Sequence, residues 1–129
     1  MRNYVLAGVI GTLITLLGVR LAIGQSEEVA KIMRQKLSYA QAILEGVSTE
    51  DYKKITDSAG AMLALTHRVE WNVIDRPEYL GFSQEFRRAV DGLVDSAQRR
   101  SADGVAYDYV QMTMACVSCH RFVRGVKRA

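Results

Sequence analysis

The 129-residue sequence predicts an all-α domain folded as an antiparallel four-helix bundle, and three observations predict it. From Gln25 onward, apolar residues recur at three- and four-residue steps, and no run alternates as a half-buried strand would. Three of the four periodic segments span about 18–20 residues, or near 30 Å at 1.5 Å per residue. Short links join the first segment to the second and the third to the fourth, with a longer link between these pairs. Such connections make neighbouring helices antiparallel.

The first 24 residues stand apart from the bundle. Arg2 gives a short positive start, Tyr4 to Val19 is an unbroken apolar or hydroxylated run, and Ala22-Ile23-Gly24 offers small residues before Gln25. That is the order of an export signal with a cleavage point. The run is shorter than the ~20 residues a membrane-spanning helix needs. Arg20, between the run and the cleavage point, departs from the pattern and makes a retained anchor the alternative. The expected organisation is a signal peptide or N-terminal anchor over 1–24 and one domain over 25–129, periplasmic or otherwise exported. Of seventeen Lys and Arg residues against fourteen Asp and Glu, only Arg2 and Arg20 precede Gln25. The domain is therefore almost neutral, and no excess of positive charge points to nucleic acid.

The first helix is expected over Ser26 to Glu45, with Val29, Ile32, Met33, Leu37, Ala40 and Leu44 on one stripe, and Gly46 ending it. Ser48-Thr49-Glu50-Asp51 is a helix start with acids in the first turn. The second helix then runs to about Trp71 with Tyr52, Ile55, Ala59, Met62, Leu63 and Val69 inward. Asn72 to Gly81 holds the only proline, Pro77, and forms the long connection. A third helix is expected from near Ser83 to Arg100, with Phe86, Val90, Leu93, Val94 and Ala97 inward. After Ser101-Ala102-Asp103-Gly104, the last helix runs from about Val105 into a basic tail. It carries Tyr109, Thr113, Cys116, His120 and Val123 on one face.

That last helix contains both cysteines of the chain, in Cys116-Val117-Ser118-Cys119-His120. Cys-x-x-Cys-His is the attachment signature for c-type haem. Cysteines three apart share a helix face, so each can form a thioether with one vinyl group of one porphyrin. The histidine that follows becomes the proximal iron ligand through an imidazole nitrogen. Three other readings compete. A thioredoxin-type redox pair wants a βαβ setting and a helix N-terminus, whereas this pair lies deep in a helix. A zinc site would need Cys116, Cys119, His120 and His67 around one ion, and adjacent Cys119 and His120 serve a tetrahedron poorly. A chance match or a plain disulfide is the third.

An exported four-helix bundle with a single such motif in its last helix resembles the class II c-type cytochromes, the cytochrome c prime group and its low-spin relatives. The resemblance covers about Gln25 to Ala129. It rests on Cys116, Cys119 and His120, on Arg124 four residues beyond the histidine, and on Arg34-Gln35 in the first helix. It implies one covalent haem c, electron transfer with a redox partner protein, and a homodimer through the first two helices. Val123 stands where the family often has an aromatic residue. The family's sixth-ligand position, counted from Arg34, falls on Ser38, whereas the apolar stripe puts Leu37 there, with Met33 one turn before.

The distal side then divides the function. With Met33 as a thioether ligand the haem is low-spin and carries electrons. With Leu37 covering the iron the site is five-coordinate and binds NO or CO. Met112 and Met114 share the helix of His120, Met62 reads as core, and His67 as semi-exposed. Trp71 and Tyr109 are placed to pack against the porphyrin edge, and Arg34, Arg121 and Arg124 to pair with its propionates. No nucleophile–base pair, second metal motif or phosphate loop stands in the sequence, and the expectation is a protein that is not an enzyme.

Overall fold

The computed structural model describes residues 27–68, 71 and 73–126. The expected signal or anchor segment, together with Val69, Lys127 and Arg128, lies outside the described residues. Those described form four helices and no strand: α1 over 27–49, α2 over Tyr52–Leu65, α3 over Pro77–Gln98 and α4 over Ala102–Val126. This all-α architecture is compatible with a four-helix bundle. None of the described helices is long and apolar enough to cross a membrane.

The helices share one core. Ile32 and Ile43 of α1 pack with Ile55, Ala59 and Met62 of α2, Phe86, Val90 and Leu93 of α3, and Val105 and Met112 of α4. Across α3 and α4 the pairing runs backward on one helix as it runs forward on the other. Gly104 approaches Ser96, Asp108 approaches Gly92, and the Phe122 and Phe82 rings lie 5.3 Å apart. The two helices are therefore antiparallel. The Ser96 hydroxyl donates to Asp108 at 2.6 Å and ties them near their turn.

The turn between α1 and α2 corrects the sequence reading. Gly46 does not stop α1, which continues to residue 49, so Ser48 and Thr49 belong to its last turn. The chain reverses at Glu50, whose φ is +54°, and Asp51 alone caps α2 by accepting from the Lys54 N–H at 3.0 Å. Gly46 has a different task. A Cβ there would fall 2.8 Å from Ile55 Cγ1 and 3.1 Å from the Asp51 carbonyl oxygen, so the missing side chain lets α2 approach. Gly46→Val should cost about 1–3 kcal/mol through overpacking, read as a lower urea midpoint with helical content retained.

Further differences concern the long connection. α2 ends at Leu65, short of Trp71, and α3 begins at Pro77, before the expected Ser83. Proline fits the first helical position because its missing N–H would have had no intrahelical acceptor. The connection is fastened from α3. The Tyr79 hydroxyl donates to the Trp71 carbonyl, the Trp71 indole N–H donates to Ser83 Oγ at 3.0 Å, and Arg87 donates to the Thr66 carbonyl at 2.9 Å. Trp71 is thereby held in the core, its ring 5.7 Å from that of Phe86.

The buried face of α1 is also rotated by one residue from the expected stripe. Leu37 is 60% exposed and Leu44 47%, while Lys36 is only 8% exposed and Ile43 fully buried. The seam follows Ile32, Lys36, Tyr39, Ile43 and Gly46, a heptad row beside the one read from Met33, Leu37, Ala40 and Leu44. A lysine in the inner row makes that row look polar in the letters, so the pattern favours the outer row. On α4 the shift is milder. Val105, Met112 and Ala115 are buried, Tyr109 and Cys116 pack partly against the core, and Thr113 and His120 are exposed.

Candidate functional site

Two cavities flank the motif of α4. The larger, about 340 Å³, is lined by Met33, Arg34, Lys36, Leu37, Ala40, Met62, Cys116 and His120. The smaller, about 210 Å³, has Trp71, Val73, Tyr79, Cys119, Val123 and Arg124 among its walls. Met33, Lys36 and His120 line both. Cys116 lines the larger cavity, Cys119 the smaller, and His120 both. Apart from His120, Lys36 and the two arginines, the walls are apolar or aromatic, the usual composition of a cofactor pocket.

Neither thiol is engaged in a disulfide. Burial pushes the Cys119 thiol up, against the opposing charge of Lys36, so it lacks the depressed pKa of a redox-active dithiol. His120 stands at the rim with its ring partly covered. That partial burial, followed by the charges of Lys36 and Arg124, lowers its pKa. This favours the neutral imidazole, the form whose nitrogen lone pair can take a metal. Among the described residues no group of three or more His, Cys, Asp or Glu side chains gathers around a point, and His67 is exposed beyond α2. The four-ligand zinc arrangement is not assembled.

The donor set and walls fit a haem c: two free thiols on one helix face, a neutral imidazole after the second, and apolar space on both sides of it. The other residues singled out in the sequence divide. Met33 is half-buried and reaches both cavities; Arg34 and Leu37 stand at the edge of the larger one, and Arg124 at the smaller. Trp71 lines the smaller cavity, whereas Tyr109 donates its hydroxyl to the Ala40 carbonyl at 3.3 Å and joins α4 to α1. Arg121 and Met114 are exposed and line neither cavity, and Met112 is core. Gln35, beside Arg34, has its Oε1 buried without a hydrogen-bond partner. Lys36 is not among the residues the sequence pattern singles out. Its signal was present, since it lies four residues after Ile32 and seven before Ile43, on their face of the helix.

Comparison with protein-family models, with characterised proteins and with solved structures finds no match for this chain. Function must therefore be argued from the chemistry of the site itself.

Proposed function

We propose that this chain is an exported monohaem c-type cytochrome that carries electrons, similar in plan to the class II cytochromes. One observation supports the reading above all: the only two cysteines of the chain are free, share the face of one helix, and line neighbouring cavities that meet at His120. Cys116 and Cys119 hold the haem by thioether bonds, and His120 ligates its iron. The bound group supplies a one-electron Fe(III)/Fe(II) couple. The protein excludes water with Met62, Trp71 and Ala40, and favours the unprotonated His120 imidazole. Arg34 and Arg124, at the cavity edges, pair with the propionates and offset their charge.

Electron transfer leads over gas binding because Leu37, the side chain expected to cover the iron, stands at the rim and is mostly exposed. Two longer side chains, Met33 and Lys36, occupy the inner wall instead. The test is the absorption spectrum of protein made in a host able to attach haem: oxidised, reduced, and reduced under CO. Sharp, split reduced bands that CO leaves unchanged are expected. A broad reduced band with a CO-shifted Soret peak would transfer the protein to the gas-binding class. A colourless protein would end both readings.

A further inference from the structure

Lys36 is a buried cation that the packing alone does not account for. Its side chain is only 8% exposed, yet it forms no ion pair among the described residues. The ammonium lies 3.5 Å from the Phe86 ring centroid and 4.8 Å from that of Trp71, and its polar partner is the Cys116 thiol. Cation–π contact offsets only part of the loss of water. Burial is the largest influence on this amine and lowers its pKa, opposed by the two cysteines. The neutral amine carries a free lone pair.

Haem attachment removes what polar company Lys36 has. Each thiol becomes a thioether, at best a weak acceptor, so the amine must find another partner inside the same walls. A porphyrin offers two: its carboxylates and its iron. The carboxylates leave the ring on the edge away from the vinyl groups, and Lys36 lies beside the sulfurs that take those vinyl groups. It also lines both cavities that adjoin His120, and does so from the facing helix. Met33 shares that position, but a half-buried methionine is an ordinary filler of irregular space, whereas a buried lysine carries a desolvation penalty that needs an explanation.

Resting on the haem reading above, we propose that Lys36 is the residue that ligates the iron opposite His120, with Met33 as its apolar neighbour. The proton of the ammonium goes to solvent and the nitrogen lone pair forms the coordinate bond; no electron is transferred in this step. Lysine is a hard, strongly basic donor compared with a thioether, so the pair His120 and Lys36 favours Fe(III) more than a histidine–methionine pair would.

The test compares the holoprotein with Lys36→Ala, Lys36→Met and Met33→Ala, all produced with haem attachment. Ferric absorption, electron paramagnetic resonance and CO binding are recorded, with circular dichroism as the check on folding. The parent should be low-spin, without the weak red-region band of thioether–iron coordination, and inert to CO. Lys36→Ala should become high-spin and convert completely to a CO complex, and Lys36→Met, which keeps the stem volume, should gain the thioether band. Met33→Ala opens the wall beside the haem and should shift its bands, yet it should stay low-spin, without the thioether band and inert to CO. A parent with the thioether band that Met33→Ala loses would overturn the proposal, as would a high-spin parent; either leaves the haem reading standing. Only a parent without acid-stable pigment removes the haem reading as well.

Discussion

With serine at both Cys116 and Cys119, the proposed cytochrome is expected to lose all haem that survives acid extraction, and the pigment should no longer follow the polypeptide on a denaturing gel. Serine is close in size, so the helix and the two cavities persist. Only the sulfur nucleophiles that bond the vinyl groups are gone. Each single variant keeps one thioether and therefore some pigment, with its reduced α band moved to longer wavelength by the vinyl group left conjugated. His120→Ala acts differently. It leaves both thiols in place but removes the axial nitrogen, so the low-spin spectrum disappears even where attachment proceeds. A double serine variant that retains acid-stable pigment would refute attachment through this motif. A colourless parent whose thiols resist alkylation until reduced would show the motif to be a disulfide.

Much of the all-α fold was legible because helix periodicity and turn chemistry agree over most of the chain. Ile55, Ala59, Met62, Phe86, Val90 and Leu93 all read as inward and are all buried. The misreadings have separate physical causes. Gly46 reads as a stop because glycine often follows a helix end, but its lack of a side chain serves the approach of Ile55 rather than the backbone. Pro77 reads as a loop residue, yet at the first position of a helix it breaks nothing. The face of α1 failed on one residue. Two heptad rows run side by side there, and Lys36 in the inner row tipped the pattern toward Leu37 and Leu44. A pattern argument counts a lysine as polar; it does not anticipate a core that accepts one beside two aromatic rings. On α4, Cys116, Cys119 and His120 were legible because their spacing carries the chemistry, whatever encloses them. The enclosing walls come from three other helices and from Trp71 and Val73, and no local signal in α4 names Met33, Lys36, Met62 or Trp71.

Lys36→Met should stabilise the haem-free chain while altering the haem-loaded one, and this opposition is the sharpest test of why the lysine is there. In the haem-free chain the ammonium has lost its water and gains two ring faces and one thiol in return. Desolvation of an ion amounts to several kcal/mol, and each cation–π contact offsets about 0.5–2 kcal/mol. An unbranched apolar side chain of similar length removes the penalty and keeps the packing, so a net gain of about 1–3 kcal/mol is expected at neutral pH. The pH dependence fixes the sign independently. Because burial lowers the folded-state pKa of Lys36 below its ordinary 10.5, the unfolded chain binds the proton more tightly. Below the folded pKa both states are protonated and the whole penalty is present. As pH rises from there toward 10.5 the folded state sheds its proton first, the penalty shrinks, and parental stability climbs toward that of the variant. Urea midpoints of the two haem-free chains should therefore converge with rising pH. A variant less stable than its parent, with a gap that does not change with pH, would mean that the ring contacts outweigh desolvation and that Lys36 is a structural cation. If the gap closes as expected, the lysine costs the haem-free fold stability, and a partner gained in the loaded protein accounts for it, which the spectra of the Lys36 variants identify.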